Sequence, residues 1–160
     1  NDIGYDAKSD DFGSIYIIGQ MAETIQIDST GEATFDGSPI TSNGGTDIFT
    51  AKYNKQGRLL WKKNIGGDGD DLGRGIEINQ NLIHFSGHIS DTVIIGFDTL
   101  ATTGISDNDA CFGVYNSDGD FITMEKVHGT GIDRALNIAY DRRGGEFIGG
   151  GGDGDFVSGG

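Results

Sequence analysis

The feature that most constrains the fold of this chain is an internal repeat of about 62 residues. The segment Asp47–Asn54 aligns with Asp109–Asn116 without a gap, and segments ending at Gly19 and Gly149 align with the one that ends at Gly87. The register continues through further pairs: Gly57 and Gly119, Ile65 and Val127, Gly67 and Gly129, Asp71 and Asp133, Ile76 and Ile138, and Asn79 and Asp141. A fixed period of this length indicates one supersecondary unit that is copied and stacked on its neighbours.

Apolar residues within one period have the spacing of β-strands, which predicts four short strands per unit, named a, b, c and d in chain order. The predicted strands are a at Ile3–Asp6, Gly75–Asn79 and Ala135–Asp141; b at Ser14–Gly19, Leu82–His88 and Glu146–Gly149; c at Asp47–Asn54 and Asp109–Asn116; and d at Arg58–Ile65 and Asp120–Val127. The c–d links end in Gly57 and Gly119, as a tight turn with positive φ requires. The b–c connections carry the β-like stretches Thr24–Asp28 and Thr92–Phe97, which predict an added ribbon.

A four-stranded meander repeated every sixty-odd residues is typical of β-propeller blades. The sequence therefore predicts an all-β fold of four-stranded antiparallel blades, in one segment that spans residues 1–160. The blade units cover approximately residues 1–65, 66–128 and 129–160, and the last is incomplete, which gives about two and a half blades. Closed propellers have about four to eight blades. We expect a ring to need further blades or further copies of the chain.

Composition supports this class of fold. Glycine supplies 29 of the 160 residues, and proline only one. Because an interior glycine costs a helix about 1 kcal/mol relative to alanine, this content favours turns, bulges and strand ends over helices. The single Cys111 cannot form an internal disulfide, and its place in the middle of a predicted strand favours a buried thiol.

The charge excludes some partners. The chain has 11 Lys and Arg against 25 Asp and Glu, a formal net charge of −14. Phosphate recognition depends on clustered basic residues, so the balance argues against nucleic acid and against an anionic membrane surface. No apolar run approaches the roughly 20 residues of a membrane-spanning helix. We expect a soluble protein with no membrane insertion, and any export signal has been removed or lies outside these residues.

Four segments resemble the SBBP-type β-propeller repeat, a bacterial family with the core D-I-F-V-A-K-Y-D, G-N-L-L-W, I-G-G-x-G-x-D and G-N-V-Y-V-T-G. The matching segments are DIFTAKYN at Asp47–Asn54, GRLLWKK at Gly57–Lys63, IGGDGDD at Ile65–Asp71 and GSIYIIG at Gly13–Gly19. The second unit departs from the pattern at Cys111–Val114 and at Phe121–Met124. The resemblance implies a secreted or surface-attached propeller without catalytic activity, in which Trp61 packs between blades.

We therefore expect a non-catalytic, extracellular or cell-surface propeller segment that acts as a structural or adhesive scaffold. Its partners would be a protein or a glycan on a cell surface, bound through the long b–c connections, or further blades or copies that assemble into a surface structure. The candidate ligand-binding residues in these connections are Thr41, Asn43, Asp91 and Asp107. The alternative is a carbohydrate-active enzyme or its accessory carbohydrate-binding domain.

No cofactor is predicted except calcium. Clustered carboxylates in loops suit Ca²⁺, which takes six to eight oxygen ligands. The candidate ligands are Asp68, Asp70, Asp71, Asp153 and Asp155. These residues are equally typical of an acidic hairpin corner that recurs once per blade.

No catalytic residue is predicted, because the sequence has no G-x-S-x-G elbow and no phosphate-binding glycine motif. The acidic pairs Asp70/Asp71 and Asp107/Asp109 are expected to be solvated. His84 and His88 lie four residues apart on strand b and therefore on one face. Because neither recurs in the other units, we interpret them as ordinary strand residues rather than zinc ligands.

Overall fold

The computed structural model describes residues 2–22, 34–35, 38–90, 92–95, 98–101, 108–127, 131–141 and 145–152. Within these ranges the chain forms strands and connecting turns and no helix, so no helix of membrane-spanning length and hydropathy occurs among them. The strands are β1 (Ile3–Ser9), β2 (Ile15–Met21), β3 (Thr34–Phe35), β4 (Ser38–Pro39), β5 (Asp47–Tyr53), β6 (Leu59–Gly67), β7 (Leu72–Asn79), β8 (Leu82–Ser90), β9 (Thr92–Ile95), β10 (Asp98–Ala101), β11 (Asn108–Asn116), β12 (Phe121–Val127), β13 (Asp133–Tyr140) and β14 (Glu146–Gly152).

The strands pair antiparallel in the predicted order. One sheet has the order β1-β2-β5-β6-β9-β10, a second has the order β12-β11-β8-β7, and β13 pairs with β14. The short β3 and β4 form a separate hairpin. We call β1, β2, β5 and β6 unit 1, β7, β8, β11 and β12 unit 2, and the β13–β14 hairpin unit 3. The all-β, antiparallel architecture is confirmed, and the described strands close no barrel.

The c–d turns form as their residues predict. Gly57 and Gly119 have φ of +78° and +83°. In the first turn the Asn54 Oδ1 accepts hydrogen bonds from the backbone N–H groups of Gln56 and Arg58, at 3.0 and 2.9 Å. Asn116 caps the second turn in the same way. In both hairpins the turn is therefore stabilised by an asparagine that stands three residues before the glycine.

The ribbon predicted in the second b–c connection is the β9–β10 hairpin, and it pairs with the neighbouring unit. The end of β6 in unit 1 pairs with β9, Gly66 opposite Ile94 and Gly67 opposite Val93. A Cβ at Gly67 would collide with the carbonyl oxygen of Thr92, so the close approach requires glycine. A hairpin that leaves unit 2 thus extends the sheet of unit 1. The corresponding stretch Thr24–Asp28 lies outside the described residues.

The core lies between the stacked sheets. It is built from these buried side chains of both units: Tyr16, Ile18, Ile48, Ile65, Ile76, Ile83, Phe85, Ile89, Val93, Ile95, Cys111, Tyr115 and Met124. Trp61 of β6 crosses to unit 2, where its ring centroid lies 6.0 Å from that of Tyr115 and its Nε1 donates to the Ser117 carbonyl at 3.1 Å. Trp61 therefore contacts both units.

Each first strand carries a β-bulge at the same place. The register of β1, β7 and β13 shifts at Tyr5, Arg74 and Leu136, so that each of these residues stands at the bulge. In unit 3, Ala135 pairs with Gly150 where Gly73 pairs with Gly87 in unit 2. The alignment of Gly87 with Gly149 was therefore wrong by one residue, because the a–b loop of unit 3 is one residue longer.

The hairpin contact predicts the effect of one substitution. Changing Gly67 to Ala should destabilise the protein by about 1–3 kcal/mol, because the new Cβ must push β9 away from β6. Changing Gly4 to Ala is the control, since a Cβ at Gly4 meets nothing within 4 Å, and it should alter stability by less than about 0.5 kcal/mol. Urea unfolding of both variants measures the difference. Equal stabilities would show that the hairpin contact contributes little.

Candidate functional site at the sheet junctions

Buried aspartates recur where one unit meets the next. Asp47 and Asp71 lie at the first junction, and their repeat partners Asp109 and Asp133 lie at equivalent positions 62 residues later. All four side chains are buried. The expectation that Asp71 and Asp109 are solvated was wrong, although it holds for the exposed Asp70. Backbone N–H groups bind Asp47 and Asp71, whereas the Lys126 ammonium, 3.3 Å from Oδ2, binds Asp109.

Asp71 binds backbone groups from three chain segments. Its Oδ2 accepts from the Gly67 N–H at 3.0 Å, and its Oδ1 accepts from the Ser90 N–H at 2.8 Å. Its own N–H donates to the Thr46 carbonyl at 2.5 Å. One carboxylate therefore ties together the ends of β6 and β8, while its backbone binds the residue before β5.

Asp47 is the second acid of this junction. Its Oδ2 accepts from the Asn43 N–H at 2.7 Å, and burial raises its pKa. Burial also raises the pKa of Asp71 to about 7, against the effect of its two backbone donors, and the nearby charge of Asp47 adds to the rise. Two acids that share a buried site disfavour double ionisation. The junction therefore holds a proton more tightly than an exposed carboxylate does.

A cleft of about 540 Å³ opens at the second junction, between units 2 and 3. Its lining consists of Asp70, Leu72, Arg74, His88, Asn108, Ile132, Arg134, Leu136, Gly151 and Gly152. Two arginines and a histidine thus meet in one cleft of a chain whose net charge is −14. The bulge of β7 explains the place of Arg74, because a bulge redirects the side chain of the extra residue.

The positive charges of the cleft affect its histidine. His88 is 2% exposed, and its Nδ1 has no hydrogen-bond partner among the described residues. Burial, together with the charges of Arg74 and Arg134, lowers the pKa of His88 to about 4. The ring is therefore neutral at pH 7, and the guanidinium groups supply the positive charge of the cleft.

The first junction has different residues at the corresponding positions. Tyr5 stands at the bulge in place of Arg74, and Gln20 stands in place of His88. There the Tyr5 hydroxyl donates to the Gln20 Oε1 at 2.7 Å, and the Tyr5 ring stacks on the Arg74 guanidinium, 4.1 Å from its centroid. The first junction has a hydrogen-bonded pair at these positions, whereas Arg74 and His88 at the second are not hydrogen-bonded to each other.

The candidate ligand-binding residues lie apart from this cleft. Thr41 and Asn43 are exposed, yet both bind within the chain. The Thr41 carbonyl accepts from the Asn64 side chain at 2.8 Å, and the Asn43 side chain donates to the Gly66 carbonyl at 3.0 Å. Their backbones are therefore fixed by the junction. Asp91 and Asp107 lie outside the described residues.

The candidate calcium ligands are only partly described. Asp68 and Asp70 are exposed, Asp71 is buried with both oxygens bound to backbone N–H groups, and Asp153 and Asp155 lie outside the described residues. Among the residues that the structure describes, no three His, Cys, Asp or Glu side chains come together to hold a metal. Calcium binding stays a prediction.

The remaining residues that the sequence singled out are buried in the stack. The His84 Nδ1 lies 2.6 Å from the Tyr140 hydroxyl of unit 3, so His84 takes part in the second junction. Cys111 is fully buried, as predicted, and burial raises the pKa of its thiol. It therefore has the character of a core residue rather than of a reactive thiolate.

No family model matches the chain, and no curated protein sequence matches it. The architecture therefore rests on the strand pairing described above.

Sequence reasoning missed the two arginines of the cleft. The predicted strand a of the second unit begins at Gly75, one residue after Arg74. The predicted strand a of the third unit begins at Ala135, one residue after Arg134. The signal that marks Arg74 is its place in Gly73-Arg74-Gly75, because glycine within a strand often accompanies a bulge.

The raised pKa of Asp71 predicts how stability depends on pH. The folded chain holds this proton more tightly than the unfolded chain, whose aspartate pKa is about 3.9. Its contribution is therefore fully present below pH 3.9 and is lost as the pH rises through about 7. The expected loss is at most about 1.4 kcal/mol per pH unit within that window.

The test is thermal unfolding of the wild type and of D71N between pH 4.5 and pH 7.5 at constant ionic strength. The wild type should lose stability relative to D71N as the pH rises. D68N, which changes an exposed neighbour, should follow the wild type. Parallel curves for the wild type and D71N would contradict a raised pKa at Asp71.

Proposed function

We propose that this chain is a non-catalytic β-propeller segment that acts as a structural or adhesive scaffold outside the cell. The proposal treats units 1 and 2 as blades and unit 3 as the beginning of a third. Its support is one observation, that buried aspartates and strand bulges recur at corresponding positions in successive units. The proposed location, secreted or attached to the cell surface, comes from the SBBP-type resemblance.

The stacking contacts are of a kind that can be repeated. Buried aspartates recur at both junctions, and the bulges of the three first strands recur at equivalent places. His84 of unit 2 contacts Tyr140 of unit 3. In unit 3, Phe147 occupies the position of His84, because it pairs with Ala139 as His84 pairs with Glu77. Phe147 thus marks the face on which a further unit would stack.

That face is apolar and open. Phe147 is 61% exposed, and Leu136, at the bulge that corresponds to Arg74, is 52% exposed. Exposed apolar side chains at a repeating interface mark a surface for association. The proposed occupant is a further blade, supplied by a longer chain or by a second copy. A head-to-tail contact between copies would build a ring or a filament, depending on whether the rotation closes.

The b–c connections of the scaffold are the proposed surface for binding a partner. The hairpins β3–β4 and β9–β10 lie in the b–c connections, and Thr41 is exposed beside the first of them. Loops held on a rigid sheet are common binding surfaces, and a protein or a glycan on a cell surface is the proposed partner. The alternative function, an accessory carbohydrate-binding domain of a carbohydrate-active enzyme, is favoured by the open cleft at the second junction.

Light scattering over a range of protein concentrations tests the stacking scaffold. The wild type should show a mass that rises above 16.9 kDa with concentration, because the open face of unit 3 associates with another copy. Changing Phe147 to Lys should return the mass to that of a monomer. Ile122, which is 51% exposed on β12, gives the matched control, and I122K should associate as the wild type does.

A wild type that stays monomeric at every concentration would contradict association through this face, and so would equal loss of association in I122K. The same series in EDTA examines the calcium prediction. A mass that falls in EDTA would place Ca²⁺ in the contact between copies.

A further inference from the structure

The cleft at the second junction brings two arginines together, and no acid among the residues that the structure describes forms an ion pair with them. Arg74 is half-buried and Arg134 is exposed, and both line the cleft together with buried His88. Within the described residues, no carboxylate lies within ion-pair distance of either guanidinium. In a chain with 25 acidic and 11 basic residues, two arginines in one cleft without an acidic partner in the described part of the chain require an explanation.

Two buried nitrogens make the cleft an incomplete polar site. The Arg74 Nε and the His88 Nδ1 are both buried without hydrogen-bond partners among the described residues. A buried polar atom without a partner costs about 1–3 kcal/mol in other proteins, and a bound ligand group is one way in which such an atom is satisfied. Asp70, the one acid in the lining, is exposed and its Oδ1 accepts from the Thr46 N–H at 2.9 Å.

The repeat supplies an internal comparison. At the first junction, the positions of Arg74 and His88 hold Tyr5 and Gln20, which bond to each other. The fold therefore does not need an arginine and a histidine at these positions. Their presence at the second junction is a departure from the repeat, and it creates both the positive charge and the unpaired atoms.

We propose that the cleft between units 2 and 3 binds the carboxylate of an acidic sugar, held by the guanidinium groups of Arg74 and Arg134 beside His88. Arginine suits a carboxylate because its planar donors can bind both oxygens at once. The remaining lining suits a sugar ring: Leu72 and Leu136 give an apolar wall, while Asn108 supplies an amide for hydroxyl groups. Its volume of about 540 Å³ lies within the ordinary range of small-molecule sites, about 300–1,000 Å³.

The site has an expected pH dependence. The groups that face His88 are Arg74, Arg134 and Asp70, and the first two disfavour its protonation. A bound carboxylate adds negative charge beside the ring and favours the protonated form. Binding should therefore take up protons, and affinity should rise as the pH falls from neutral toward the free-state pKa of His88, about 4, while the ligand remains ionised.

This ligand goes beyond the scaffold function and does not depend on association between copies, so the two proposals can fail separately. The test is an NMR titration of the full chain with D-glucuronate, with D-glucose as the uncharged control. A single acidic sugar should bind with a Kd of about 1 mM and shift the amide resonances of the cleft. The His88 ring resonance should titrate at higher pH in the presence of D-glucuronate, whereas D-glucose should shift neither set.

Three variants locate the site. R134Q should weaken D-glucuronate binding by roughly tenfold or more, because a charged hydrogen-bonding partner is lost. The double change R74Y with H88Q copies the residues of the first junction, which the fold accepts there, and it should abolish binding. Arg58, exposed in the first c–d turn, is the matched control, and R58Q should bind as the wild type does. The amide spectrum of each variant reports whether it is folded.

The outcomes separate the possible ligands. Equal shifts with D-glucose would overturn the role of the carboxylate. Tighter binding of N-acetylglycine than of D-glucuronate would overturn the sugar and point to a peptide carboxylate, and preference for inorganic sulfate would overturn both. Unchanged affinity in folded R134Q would overturn the assignment of the site.

Discussion

The constraint on which this structure depends is that a single four-stranded sheet cannot cover its own two apolar faces. Unit 2 shows this most clearly, since Phe85 packs toward unit 1 while His84, one residue earlier, faces Tyr140 of unit 3. Alternation along one strand thus sends neighbouring side chains into two different junctions. Stability has to come from stacking, and the junctions therefore carry both the core and the buried polar groups.

Stacking by apolar contact alone would leave the units free to slide. The buried acids give the contact a direction, because the two oxygens of Asp71 bind the Gly67 and Ser90 N–H groups, which belong to different units. The β9 strand adds backbone pairing to β6 at the same place. A buried carboxylate that binds backbone donors is costly to displace, so it fixes the register of one sheet on the next.

The strands could be predicted from the sequence because alternation and turn residues are local signals. The order of a, b, c and d was right in both complete units, and so were the positive φ angles of Gly57 and Gly119. Burial of Asp71 could not be predicted in this way, because it depends on donors from β6 and β8 that only the fold brings together. The cleft was missed for a related reason, since a bulge at Arg74 is a property of pairing between strands.

A repeat allows structural and functional residues to be separated without related sequences. Positions that stay the same, such as Asp47 and Asp109, serve the stacking that every unit needs. Positions whose residue changes while the backbone stays the same are not required for stacking. Arg74, which stands where unit 1 has Tyr5, is the clearest case. Replacing a tyrosine that bonds within the junction by an arginine that does not would destabilise the stack unless something else binds the guanidinium. Tyr5 supplies part of that compensation through its ring, and the open side of Arg74 faces the cleft. The charge of Arg74, in a cleft that opens beside it, is the feature on which the proposed binding of an external anion rests.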